Sequence, residues 1–261
     1  MQGFTALSTH RYLIGQLIKR DVLLRYRGAM FGVAWIFLNP LIMLTIFSFV
    51  FGQVFQARWP QQENGAPFWL VLYSGLIAFN IFAETVSRAP VAIRSYPSYV
   101  KKIIFPIEIL PLVPLGAALT HGAFNILILV LALAWTGHLT ASTLLYPLAL
   151  LPLLLLALGF AWFFAAWGVF IKDMSQIVPP FVQILMFLSP VVYPASAVPK
   201  ALQPISQINP LGATIETCRN VALGHHADWK TWGLALLVGI IIVGFGYAFF
   251  CHCREEFADV L

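Results

Sequence analysis

The sequence predicts an all-α integral membrane protein: six transmembrane helices, an amphipathic interface helix before the first, and short re-entrant helices between the fifth and sixth. Three observations predict it. The 261 residues are 60% hydrophobic and only 10% charged, with a mean hydropathy of +0.86, whereas a soluble domain carries roughly a quarter charged residues to cover its surface. Six apolar runs contain no Asp, Glu, Lys or Arg. The Lys and Arg residues fall in short clusters beside those runs rather than along one basic face.

A helix crosses the hydrocarbon in about 20 apolar residues and satisfies its own backbone there. The runs are residues 30–55, 68–83, 109–135, 144–171, 177–193 and 231–250. Loops on the cytoplasmic side retain positive charge near helix ends. With both termini cytoplasmic, that side holds Arg11, Lys19, Arg20, Arg25, Arg27, Arg88, Arg94, Lys101, Lys102, Lys172 and Arg254, and the outer side holds only Arg58, Lys200, Arg219 and Lys230. An even number of spans agrees with that orientation.

Before the first run, Ser8 or Thr9 can cap a helix in which Leu13, Ile14, Leu17, Ile18 and Leu24 recur at helical spacing between polar and basic residues. Residues 1–29 are therefore an interface helix lying on the membrane. Between the second and third runs, Arg88, Arg94, Lys101 and Lys102 mingle with Tyr99, Phe105, Pro97 and Pro106 over a stretch too long for a minimal turn. Proline ends a short surface helix there and leaves a rigid cytosolic knob. In residues 194–230, Pro194, Pro199, Pro204 and Pro210 alternate with apolar residues such as Val198, Leu202, Ile205, Ile208 and Leu211. Such a segment predicts short helices dipping into the outer half of the membrane, where protein or a wet cavity must satisfy the backbone. With no repeat, the whole chain 1–261 reads as one domain: 1–29, 30–193 with five spans, 194–230, and 231–261 with the sixth span and a cytoplasmic tail.

Several chemistries are excluded or unsupported. A net charge of +5 and an isoelectric point near 9.2 reflect topology-setting clusters and predict no nucleic-acid partner. The first residues show no cleavable signal pattern. Cys218, Cys251 and Cys253 make no disulfide framework, and Cys251-His252-Cys253 lacks a second ligand pair, so no metal is expected. No G-x-x-x-x-G-K-[ST] loop is present, so ATP hydrolysis belongs elsewhere. The ten acids show no converging catalytic pair, and no enzyme is expected. Ion-coupled transport stays open as an alternative through His121, the one ionisable group deep in a run.

Five segments in order carry a family pattern. They are Arg20-Asp21-Val22-Leu23-Leu24-Arg25-Tyr26-Arg27 with Gly32-Val33-Ala34-Trp35 and Asn39-Pro40, then Val100-Lys101-Lys102-Ile103-Ile104-Phe105-Pro106 with Ile109-Leu110-Pro111. Leu188-Ser189-Pro190-Val191-Val192-Tyr193-Pro194, Asn209-Pro210-Leu211 and Phe257-Ala258-Asp259-Val260-Leu261 complete the set. Together they resemble the polysaccharide and O-antigen exporter permeases of the ABC type-2 family across essentially the whole chain.

The resemblance implies a homodimer in the bacterial inner membrane that pairs with two copies of a cognate ABC ATPase. It also implies that ATP and Mg bind in that partner, with no cofactor in this chain. The implied substrate is an undecaprenyl-linked polysaccharide of lipopolysaccharide biosynthesis, moved from cytosol to periplasm. Teichoic acid, capsule and other lipid-linked substrates stay open, as does a drug or small-lipid exporter of this fold. Coupling to the ATPase falls to Arg94, Tyr99, Lys101, Lys102, Phe105 and Pro106. A periplasmic gate falls to Leu202, Ile205, Asn209, Pro210, Glu216 and Arg219. The first and fifth spans line the channel, where stacking rings and polar handles suit an uncharged glycan: Phe31, Trp35, Asn39, Phe49, Gln53, Gln183, Phe187 and Tyr193 supply them.

Overall fold

A computed structural model describes residues 10–54, 65–100, 105–194 and 209–260, and these contain helices and turns but no strand. Eight helices organise it: α1 Arg11–Arg25, α2 Trp35–Phe47, α3 Phe68–Arg88, α4 Leu112–Trp135, α5 Leu151–Phe170, α6 Met174–Leu188, α7 Pro210–Leu223 and α8 Trp229–Cys253. Five helical stretches are long and apolar enough to cross a membrane: Gly32–Phe51, Phe68–Val91, Ile107–Trp135, Ala141–Phe170 and Trp229–Glu256. They correspond to the first, second, third, fourth and sixth apolar runs.

The fifth run departs from expectation. Its helix α6 has 15 residues, about 22 Å at 1.5 Å per residue, against a hydrocarbon core of about 30 Å. Helix α6 stops because Ser189 precedes Pro190, whose ring clashes with an α-helical predecessor, and Ser189 is extended at φ −110° and ψ 148°. The run 177–193 is thus a shorter apolar helix followed by a turn. Conversely, the second run ended at Ala83 because Glu84 is charged, yet the helix continues to Arg88.

Helix α3 is the hub, with α4, α5, α6 and α7 packed around it. Of its most apolar stretch 72% is buried, against 17% for the first span. Helices α5 and α8 make the most intimate pair. A Cβ on Gly246 would stand 2.1 Å from the Gly159 carbonyl oxygen, so the two backbones touch where neither residue has a side chain. In lipid, where apolar burial no longer drives association, such close packing of small residues holds helices together.

Several polar side chains inside the bundle are paired, as a membrane interior favours. The Tyr146 hydroxyl donates to the Ser74 carbonyl at 2.5 Å, the Trp162 indole to the Glu108 carbonyl at 3.1 Å, and the Trp232 indole to the Ala149 carbonyl at 3.2 Å. Asp228 caps α8 by accepting from Lys230 N and Thr231 N. The Thr231 side chain above all, then the Lys230 backbone N–H, hold the Asp228 carboxyl below the usual range.

Helix α1 packs against α4. Leu17 and Val22 are buried and Leu13, Ile14 and Ile18 partly so, while Leu24 points outward at 48% exposure. The inner face is thus rotated from the sequence expectation toward Val22, and the predicted caps Ser8 and Thr9 lie outside the described residues.

Candidate functional site

Where α1 meets α3 and α4, six ionisable side chains converge. The Glu84 carboxylate on α3 accepts from Arg25 Nη1 at 2.5 Å, and Arg88 Nη1 stands 3.5 Å away. His121 Nδ1 on α4 lies 3.0 Å from Glu84 Oε2. With the proton on Nδ1, His121 donates to that carboxylate and its Nε2 accepts from the Tyr26 hydroxyl at 3.2 Å. One turn further, Arg88 Nη2 grips both Asp21 oxygens at 2.7 and 2.8 Å. Glu84 and His121 side chains are only 17% and 12% exposed. An isolated carboxylate there would be prohibitive, so each charge is matched by an opposite one. The outcome is mechanical: α1 is pinned to the end of the second span.

A cleft of about 520 Å³ opens beside this network between α2, α3 and α4. Trp35 and Asn39 of α2 form one wall and Asn80 of α3 faces them. Asn125 is fixed by two bonds, accepting from the Tyr73 hydroxyl at 2.8 Å and donating to the His121 carbonyl at 2.7 Å. A second, more apolar cleft of about 600 Å³ at the other end of the first span is lined by Phe49, Gln53, Trp69 and Trp135 among others.

The residues expected to line a channel are therefore divided within one chain. Trp35 and Asn39 sit in the first cleft, Phe49 and Gln53 in the second, and Phe31 is 56% exposed with its ring 5.9 Å from Trp35. Gln183 is exposed, Phe187 is 60% exposed, and the Tyr193 hydroxyl donates to the Phe187 carbonyl at 2.7 Å. None of these last three lines either cleft.

In the 94–106 segment, Arg94 is half-buried. Tyr99 stacks on Phe105 at 4.7 Å, and both pack against a core that includes Leu17, Ile93, Trp162 and Phe257. These aromatics thus face this chain's own interior. Pro106 leads into the turn Ile107–Ile109, whose Glu108 pairs with Arg254 at the end of α8. Lys101 and Lys102 lie outside the described residues.

Leu202 and Ile205 of the outer segment also lie outside them. Asn209 caps α7 by accepting from Leu211 N at 3.0 Å, and its amide donates to Ser189 Oγ at 2.8 Å and the Leu188 carbonyl at 3.3 Å. Pro210 occupies the first turn of α7, where its missing N–H costs nothing. Helix α7 has 14 residues, too few to span. Arg219, counted from sequence on the outer side and among the gate residues, is 2% exposed and donates to the carbonyls of Val71, Pro190 and Val191 at 3.2, 2.9 and 3.0 Å. It ties α7 to α3 and to the turn after α6, fitting beside Gly75, where a Cβ would stand 2.6 Å from its Nη2. Burial raises the Glu216 carboxyl above its ordinary value, with Arg219 opposing.

Comparison with known proteins decides what such a bundle is. Residues 12–223 match the ABC-2 type transporter family. This chain belongs to that family. As an ABC-2 chain it is a multi-pass membrane permease rather than an enzyme, and its family works with an ABC ATPase. The ABC-2 chain is 22% identical over 251 residues to O-antigen export system permease protein RfbA of Klebsiella pneumoniae, covering 95% of each. It is 26% identical over 257 residues to the Myxococcus xanthus protein of the same name, covering 97% of this chain and 96% of that one. Polysialic acid transport protein KpsM of Escherichia coli is 23% identical over 257 residues, with 97% of each covered.

From the sequence, His121 is the one ionisable group deep in a run, and Arg25 and Arg88 count among the cytoplasmic charges. One signal did point to more: Glu84 and Arg88 stand four residues apart at the edge of an apolar run, and an acid there needs a partner.

Proposed function

We propose that this chain is the channel-forming subunit of an ATP-driven exporter that moves an undecaprenyl-linked O-antigen polysaccharide from cytosol to periplasm. The observation that carries the proposal is a similarity spanning nearly the full length of both chains to O-antigen export permeases of Klebsiella and Myxococcus. In this reading α6 and the residues after it make a sixth, shortened crossing, both termini are cytoplasmic, and the chain is a homodimer bound to two ATPase subunits that hold ATP and Mg. The first span and α6 line a channel between the copies. In support, Ile42, Met43, Ile184 and Phe187 on these helices are exposed in the single chain, leaving apolar faces for a second copy and lipid to cover. The 94–106 segment transmits ATPase motion, with Lys101 and Lys102 among its coupling residues. Helix α7 and the residues before it gate the outer end.

Capsule export is the second reading, favoured by the similarity to the polysialic acid transport protein. Deleting the gene and restoring it on a plasmid tests both. The expected result is loss of the O-antigen ladder from lipopolysaccharide with lipid-linked polymer retained inside the cell. Loss of capsule with an intact ladder selects the second reading, and loss of neither overturns both.

A further inference from the structure

We infer that the outward face of α1 binds an anionic phospholipid of the surrounding bilayer, with Lys19, Arg20 and Arg27 holding its phosphate. This lipid belongs to the membrane and is not the cargo, so its binding is independent of what the chain exports.

Helix α1 has two faces. Ile14, Ile18, Asp21 and Arg25 recur every three or four residues and turn inward: Ile18 fits against Gly116 of α4, and Asp21 and Arg25 pair with Arg88 and Glu84 of α3. Gln16, Lys19, Arg20, Leu23 and Arg27 recur at the same intervals half a turn away, which places them on the opposite side. These five are exposed and line a groove of about 490 Å³ that ends at Val33. None of the residues assigned to the channel lines it.

Charge selects the ligand. Asp21, the one carboxylate of α1, is engaged by Arg88 on the inner face, so the groove keeps three cations and no acid. Lys19 and Arg27 make no ion pair among the described residues. The Arg20 guanidinium lies 5.5 Å from the centre of the Tyr96 ring, a contact that positions it without neutralising its charge. Lys19 and Arg27 stand about 12 Å apart along the axis, and long side chains from both ends can meet one phosphate between them.

Position makes that anion a lipid. Val33 lies in the first span, Gly32–Phe51, so the groove sits where the chain enters the membrane, at headgroup depth. Leu23, Leu24 and Val33 are 46%, 48% and 46% exposed beside the cations. A soluble phosphate would neutralise the cations and leave these apolar side chains bare. A phospholipid covers both, its phosphate on the cations and its acyl chains along the leucines.

The test is native mass spectrometry of the full chain in a non-ionic detergent, titrated with phosphatidylglycerol and with phosphatidylcholine of identical acyl chains. Phosphatidylglycerol should bind roughly tenfold more tightly or better. In the variant Lys19→Gln, Arg27→Gln its affinity should fall about thirtyfold, a little over fivefold for each cation lost. The variant Lys19→Arg, Arg27→Lys keeps both charges and should keep the affinity. The variant Lys172→Gln, Lys230→Gln, which removes the same charge from exposed positions elsewhere, should bind like the parent. Equal affinity for the two lipids, unchanged affinity of the Lys19→Gln, Arg27→Gln variant, or an equal loss in the Lys172→Gln, Lys230→Gln variant overturns the inference. So does release of the lipid on adding the cognate ATPase, which would make this face a protein contact.

Discussion

Replacing Gly246 by Ala should destabilise the protein, while the same change two residues earlier at Gly244 should not. A methyl group on Gly246 would lie 2.1 Å from the Gly159 carbonyl oxygen and 2.9 Å from its carbon, whereas one on Gly244 meets nothing within 4 Å. Ordinary contact begins at 3.4 Å, so α5 and α8 must part by roughly 1 Å, enough to forfeit a quarter to a half of the dispersion energy of the atoms that separate. Overpacking of this kind costs about 1–3 kcal/mol. Against it stands the gain of about 1 kcal/mol for Gly→Ala in a helix interior, which both variants share. Gly246→Ala should therefore be up to about 2 kcal/mol less stable than the parent and about 1–3 kcal/mol less stable than Gly244→Ala, which should itself be up to about 1 kcal/mol more stable than the parent. Equilibrium unfolding of the detergent-solubilised chain in sodium dodecyl sulfate, followed by tryptophan fluorescence, resolves a gap of that size. A Gly246→Ala variant as stable as Gly244→Ala would refute the claim that backbone contact at Gly159 sets the spacing of α5 and α8.

Three further outcomes follow from the polar contacts. Arg88→Ala should release α1 from α3 and raise deuterium uptake across residues 11–25, and Arg88→Lys should not restore protection, because one ammonium cannot do the work of two guanidinium nitrogens, one on Asp21 and the other beside Glu84. Arg219→Lys should lower the unfolding free energy by about 2 kcal/mol, since a single ammonium cannot serve three separated carbonyls while its charge stays buried. Glu216 should give a pH signature. Its folded carboxyl is raised above 4.5 by burial, so the stability it contributes is complete below that value and is lost as pH rises through the raised one. Glu216→Gln should accordingly be more stable than the parent at pH 8, with the gap closing toward pH 4.5; a gap independent of pH would refute the assignment.

The spans were legible because lipid permits no compromise: a crossing helix must be apolar along its length, and five of six runs returned as helices long enough to cross. The fifth run returns as a shorter apolar helix through a local rule that the sequence does display, since Ser189 before Pro190 ends α6 regardless of the apolar residues beyond. Other features lie beyond any local rule. Arg25, Glu84 and His121 are 59, 37 and 96 residues apart pairwise, and only the packing of α1, α3 and α4 brings them together. Gly239 and Gly246 are visible as a seven-residue spacing on α8, but nothing local names Pro152 and Gly159 as the backbones they approach.

Glu84 shows how counting charge-free residues misplaces a helix end. A charge at the edge of an apolar run reads as the boundary of the membrane-embedded part, because an unpaired charge inside it is too costly. The cost disappears from view once the charge has a partner, and sequence distance conceals the partner: Arg219 reaches Val71 across 148 residues. Counting charge-free residues therefore trims each helix at the side chains that bind it to its neighbours. Helix α3 was cut at Ala83, one residue before the carboxylate that fastens it to α1 and α4.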